Sequence, residues 1–167
     1  MGGPGDIQLI YAITRLTRAR HLLETGVALG WSSMAFLNAA QDNGGGHLVS
    51  TDRPYPSDNS ASYVGIAVDH ALRKHWTLIR EPDRNGLHKA VAKLRSQADI
   101  AHYDSGKTYR GRQFGYSVIW DALRRGGVFI SDDIQDNLAF AHFVGASGAR
   151  FGVIETDNKF VGIAIKP

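Results

Sequence analysis

Cysteine is absent from the 167 residues, and that one absence removes disulfides, thiolate-bound zinc and thiol nucleophiles together. Any metal would have to be held by oxygen or imidazole. No apolar run approaches the roughly 20 residues of a membrane span, and Met1 to Asp6 has neither the basic flank nor the continuous apolar stretch of a signal peptide. The expectation is a soluble, cytoplasmic protein with no membrane partner. A concentrated basic tract is missing too. The pI is near 9.3, yet the formal net charge is only +3 and the Lys and Arg residues are spread from Arg15 to Lys166, without the aromatic interleaving of a nucleic-acid surface. No nucleic-acid partner is expected.

What is present is enough for one core. With 43% hydrophobic and 21% charged residues, a chain of this length can enclose a single α/β domain, expected to span 1–167. Ile7, Ile10, Tyr11, Ile13 and Leu16 fall at helical spacing and predict a lead-in helix over residues 6–19. From about Arg20 onward, strand-like and helix-like runs alternate. Strands are predicted at His21 to Glu24, His47 to Thr51, Trp76 to Ile79, Asp99 to Tyr103 and Val128 to Ser131. Helices are predicted at Ser32 to Gln41, Tyr63 to His75, Leu87 to Leu94, Tyr109 to Arg124 and near Leu138 to Val144. Such alternation implies a parallel sheet with helices on both faces. The glycines at 44 to 46 stop one helix, and Arg53 to Ser60 reads as a polar loop. The ending differs: Phe151 to Glu155 and Phe160 to Ile165 flank the short polar turn Thr156 to Lys159, the pattern of an antiparallel hairpin.

The first strand runs into Glu24-Thr-Gly26-Val-Ala28-Leu-Gly30, directly before a helix that opens with Ser32 and Ser33. Glycines there let the backbone turn sharply and approach a ligand, and the amides of a helix start favour an anionic group. Asp52 ends the second strand, where a carboxylate can accept hydrogen bonds from ribose hydroxyls. A turn glycine or a capping acid explains each position singly; together, at two strand ends, they point to a nucleotide-like cofactor.

This combination resembles the class I S-adenosylmethionine-dependent methyltransferases, whose first motif runs Glu/Asp-x-Gly-x-Gly-x-Gly; Ala28 stands where the middle glycine is usual. The resemblance covers nearly everything from Arg20 to Lys166. It implies a Rossmann-like, seven-stranded, mostly parallel sheet closed by the C-terminal hairpin, with S-adenosylmethionine as cofactor. It also implies that Glu24 lies near the methionine end, that Gly26, Ala28 and Gly30 form the pocket floor with Ser33 beside it, and that Asp52 binds the ribose. Asp83, after the third strand, is the adenine-side candidate, although Glu81-Pro82-Asp83 departs from the usual Gly-Asp.

A second constellation lies at the ends of strands four and five: Asp104 and Lys107, then Asp132 and Asp133, 28 and 29 residues beyond Asp104. The carboxyl ends of adjacent parallel strands open on one crevice, so the three carboxylates should converge. They then need a cation between them, for which a hard divalent ion such as magnesium is suited. The alternative is that Asp132 and Asp133 cap the following helix. The spacing resembles the metal-dependent small-molecule O-methyltransferases of the catechol and macrolide-sugar types, and Asp104-x-x-Lys107 looks like the catechol type, in which the lysine is the general base. Gly106 stands where the sugar type has a further Asp. This resemblance implies a small-molecule hydroxyl acceptor, with Asp104, Asp132 and Asp133 as metal ligands, Lys107 and Asp104 as catalytic residues, and Asp104 also touching the cofactor.

Two other readings stay open. Amino-methylating nucleic-acid enzymes carry Asn/Asp-Pro-Pro-aromatic after strand four, which His102-Tyr103-Asp104-Ser105 does not match. A non-catalytic module that keeps the fold is the other. His102, inside a strand, reads as a packed histidine. Because little chain precedes strand one to cover the site, a homodimer is expected to complete it.

Overall fold

The computed structural model describes residues 6–54, 62–94, 97–156 and 159–167. Helix α1 (Ile7–Thr17) leads in, its first turn capped by Asp6, which accepts a hydrogen bond from the Leu9 amide. Then follow β1 (His21–Thr25), α2 (Trp31–Asp42), β2 (His47–Thr51), β3 (Trp76–Ile79), α3 (Asp83–Leu94), β4 (Ala98–Tyr103), α4 (Tyr109–Ala122), β5 (Leu123–Ser131), α5 (Ala139–Ser147), β6 (Arg150–Thr156) and β7 (Lys159–Ile165).

The seven strands form one sheet in the order β3-β2-β1-β4-β5-β7-β6. The first five are parallel, and β7 inserts antiparallel to both β5 and β6. Strand order therefore reverses between β1 and β4, and a ligand crevice belongs at the carboxyl ends of those two strands.

Period-two alternation splits the core into two layers. Leu22, Leu48, Ile100, Val128 and Ile130 pack with Ile10, Phe36 and Leu37 of α1 and α2. Their neighbours Leu23, Val49, Ala101 and Phe129 pack on the other face with Leu87, Tyr116, Ile119 and Phe140 of α3, α4 and α5. No helix among the described residues is long and apolar enough to cross a membrane.

Three expected boundaries need correction. Instead of a helix from Tyr63 to His75, the chain makes turns and a single 3-10 segment, His70–His75. Gly65 takes a φ of +70°, which interrupts helical winding, and lies so close to the Trp76 ring of β3 that a side chain there would collide with it; Asp69 starts the later segment by accepting from the Ala71 amide. Helix α3 begins at Asp83 rather than Leu87. Helix α4 stops at Ala122, and β5 begins at once with Leu123, its register against β4 shifting between Ala98 and Ile100. The expected loop from Arg53 to Ser60 lies outside the described residues from position 55, as do the two central residues of the hairpin turn.

Candidate active site

The crevice is a cavity of about 1000 Å³. Its floor is the loop after β1. Gly26 and Gly30 have φ values of +80° and +91°, and a side chain on Gly26 would run into the Asp104 carbonyl. Ala28 also sits in the left-handed region, at φ +46°. That is the place of the usual middle glycine, so the methyl group is tolerated at some cost in backbone strain.

Asp52 builds this floor. Its Oδ1 accepts from the amides of Val27 (3.0 Å) and Ala28 (3.2 Å), which holds the loop in place. Its Oδ2 is buried with no hydrogen-bond partner, 3.7 Å from an equally unpartnered Arg80 Nε. A buried acceptor without a hydrogen-bond partner, on a residue that lines the cavity, fits a ribose hydroxyl. With the glycine cradle and the cavity volume, it makes the site one that S-adenosylmethionine fits. Sequence reasoning missed Arg80, because nothing in the order of residues says that the end of β3 lies beside the end of β2.

Glu24 and Ser33 require correction as direct cofactor contacts. Glu24 is fully buried and accepts from the hydroxyls of Ser32, Ser33 and Ser50 at 2.5 to 2.7 Å. Ser50 in turn accepts from the Trp76 indole. This knot ties β1, β2 and the first turn of α2 behind the loop, so Glu24 and Ser33 shape the floor without lining the cavity. Ser32 and Trp31 line it instead. Asp83 does face the cavity. Burial pushes its carboxyl pKa up, against the hydrogen bonds from the Ser105 side chain and the Gly106 amide that tie α3 to the loop after β4.

Next to this floor, past the ends of β4 and β5, the structure brings Asp104, Asp132 and Asp133 together, one oxygen from each lying within 4.8 Å of the others. Asp132 is 4% exposed. Burial is the main reason its pKa is raised, with the charges of Asp104 and Asp133 adding to it. Two lysines supply the compensating charge. Lys107 Nζ bridges Asp104 and Asp133, and Lys159 Nζ stands 3.3 Å from Asp133 and 3.9 Å from Asp132. Burial pulls the Lys107 pKa down, but the charges and hydrogen bonds of Asp104 and Asp133 outweigh it and the net shift is upward. With these partners Lys107 is a firmly held ammonium. Oxygen donors at this spacing fit a hard divalent cation.

Nothing along the chain marks Lys159 as a site residue. It reaches the site only because β7 inserts beside β5. His102 is packed as expected, 4% exposed and tilted against the Phe36 ring, but it also lies on the cavity wall with its Nδ1 unpartnered.

A parallel sheet reversing at β1 and β4, an antiparallel β7 between β5 and β6, and a glycine-floored crevice beside an open carboxylate define the class I S-adenosylmethionine-dependent methyltransferase fold. The chain belongs to the family described as "Methyltransferase domain", which matches residues 23–134. No curated protein matches the chain in sequence. Among solved structures, an O-methyltransferase from Bacillus cereus in complex with SAH is similar at a TM-score of 0.82 and 16% identity, over 99% of this chain and 83% of that one. The O-methyltransferase TomG from Streptomyces achromogenes, solved with SAM, gives 0.77 and 17% over 100% and 82% of the two chains. An SAH-bound methyltransferase from Podospora anserina gives 0.73 and 16%, over 100% and 80%.

Proposed function

We propose that this methyltransferase acts in the cytoplasm on a hydroxyl of a small molecule, with a divalent cation, magnesium first, held by Asp104, Asp132 and Asp133. The observation that carries the reading is the convergence of those three carboxylates in the cavity floored by the glycine loop. That two of the similar solved structures are of O-methyltransferases supports it. S-adenosylmethionine supplies an electrophilic methyl group, and a divalent cation supplies the charge that lowers an acceptor hydroxyl's pKa. The chain's own residues do the rest. The loop from Gly26 to Gly30 and Asp52 orient the donor, and the acidic wall orients the acceptor, so that the attacking oxygen can line up with the methyl carbon. Lys107 Nζ is the group placed to receive the acceptor's proton. Held as an ammonium by Asp104 and Asp133, it would serve as base only after giving its own proton to solvent, which a cation taking over those carboxylates would favour. Helix α1 contributes only Ile10 to the cavity lining, and a second copy of the chain covering the open front is part of this proposal. Sedimentation as a monomer at micromolar concentration, with and without SAH, removes that part.

The test is a panel of catechols and sugar diols assayed with labelled S-adenosylmethionine, with magnesium or with a chelator. Methylation that needs the metal and falls on Asp132→Asn, with SAH affinity retained, is the expected result. Methylation indifferent to the chelator overturns the metal role. No methylation on the panel, despite tight SAH binding, moves the reading to a module that binds cofactor without turnover.

A further inference from the structure

Arg112 is the largest of the fully buried side chains, 1% exposed in the fourth position of α4, and the chemistry above makes no use of it. A guanidinium is rarely taken out of water unless something specific receives its hydrogen bonds. Here the receivers are all at the end of β5 or beside it. Nη1 donates to the Asp132 carbonyl (2.9 Å), the Tyr116 hydroxyl (2.9 Å) and Ser131 Oγ (3.2 Å). Nη2 donates to the Asp133 carbonyl (2.8 Å) and to Asp136 Oδ2 (3.3 Å). The planar fork therefore clamps two successive carbonyls. Between them the backbone is in an unfavourable state, with Asp133 at φ +51°, and such a state persists only where surrounding bonds over-determine it. Asp132 is held beside β4 by the hydrogen bond its amide donates to the Tyr103 carbonyl, and the turn at Asp133 follows directly, so the clamp sits at the backbone that carries both carboxylates of the cluster with Asp104.

We propose that Arg112 is a positioning residue. Its guanidinium fixes the Asp132–Asp133 turn and thereby the geometry of the three-carboxylate wall. The inference rests on the reading of that wall as the reactive site. It has a specific chemical requirement: both carbonyls must be held at once, which a guanidinium does and an ammonium, a single point donor, does not.

The experiment compares wild type, Arg112→Lys and Arg112→Met in three measurements. The first is SAH affinity, which reads the floor built from β1 and β2. The second is the rate of reductive methylation of each lysine by mass spectrometry. Lys107 reports its contact with Asp133, and Lys89, paired with Glu81 elsewhere, is the internal control. The third is manganese binding to the SAH-loaded protein. In Arg112→Met, Lys107 should label several-fold faster with Lys89 and SAH affinity unchanged, and manganese binding should weaken by about tenfold or more, the range for loss of a group that orients metal ligands. Arg112→Lys should fall between.

Wild-type labelling of Lys107 in a cooperatively folded Arg112→Met protein overturns the proposal, as does a loss of SAH binding with faster labelling of Lys89, which marks a merely structural role. Should Arg112→Met not fold, Arg112→Lys decides: intermediate Lys107 labelling supports the clamp and wild-type labelling overturns it. A wild-type protein that binds no manganese overturns the metal reading instead, and the labelling result then still decides Arg112.

Discussion

Strand β4 carries an aspartate near each end, and the two have opposite lives. At the amino end, Asp99 accepts from the amides of Arg20 and His21 at 2.9 Å each and from Arg124 Nε. Nearby, Lys166 Nζ donates to the carbonyls of Trp120, in the last turn of α4, and of Leu123, the first residue of β5. That end of the sheet is closed, its polar groups spent on one another. Just past the carboxyl end, Asp104 faces two further aspartates, two lysines and a cavity, and Asp52, Arg80 and His102 keep unpartnered buried atoms. Polar groups that a fold leaves incompletely satisfied lower its stability, and they are where a ligand gains most by arriving.

The largest effect should follow from closing the cavity's floor. Gly26→Val combines a left-handed backbone with a collision against the Asp104 carbonyl, and should destabilise the protein by about 3 kcal/mol or more and abolish SAH binding. Urea unfolding and calorimetry read the two together. Near-native stability with intact affinity would show that the loop is not held as described.

Next comes the closed end. Asp99→Ala strands two amides and a guanidinium and should cost about 2 to 3 kcal/mol, while SAH affinity per folded molecule stays the same. Burial raises the Asp99 pKa, but Arg124 and the two amides outweigh it and the net shift is downward. Its contribution is therefore complete above the unfolded carboxyl value of about 3.9 and is lost as pH falls through the lower folded value. The stability gap between wild type and variant should narrow in that acid window and stay constant from pH 5 to 7.

The open end should give the opposite sign. Asp132→Asn keeps an oxygen for the Asp133 amide and removes the one buried charge of three crowded carboxylates, so we expect the fold to gain about 1 kcal/mol while turnover collapses. A thermal melt that moves down on this substitution would break the contrast between the two ends. The smallest effect is expected at Ala28→Gly. It relieves the left-handed strain of roughly 1 kcal/mol but gives back much of it as unfolded-state freedom, leaving a net stabilisation of about 0.5 kcal/mol or less and an unchanged SAH affinity.

These contrasts also separate what could be read along the chain from what could not. The glycine loop, Asp52 and the three acidic positions were legible because each sits at a strand end, and strand ends are marked by where apolar alternation stops. The hairpin was legible for the same reason. Tyr63 to His75 was misread as a helix because its apolar spacing is helical, and the obstacle, the Trp76 ring against Gly65, belongs to a neighbouring strand. Glu24 looked like a ligand residue by its place in the motif, yet three serine hydroxyls had already taken its oxygens.

Hydrophobic period, glycine placement and strand-end acids are local properties, and they sufficed to determine a seven-stranded sheet with a cofactor floor and an acidic wall. Which charges stand against that floor and that wall was decided only in three dimensions. Lys159 arrives across the β5–β7 pairing, Arg80 across β2–β3, and Arg112 from a helix packed under β5. Each is far in sequence from the group it serves, and an ion pair or hydrogen bond acts over a few ångströms of space, whatever the separation along the chain.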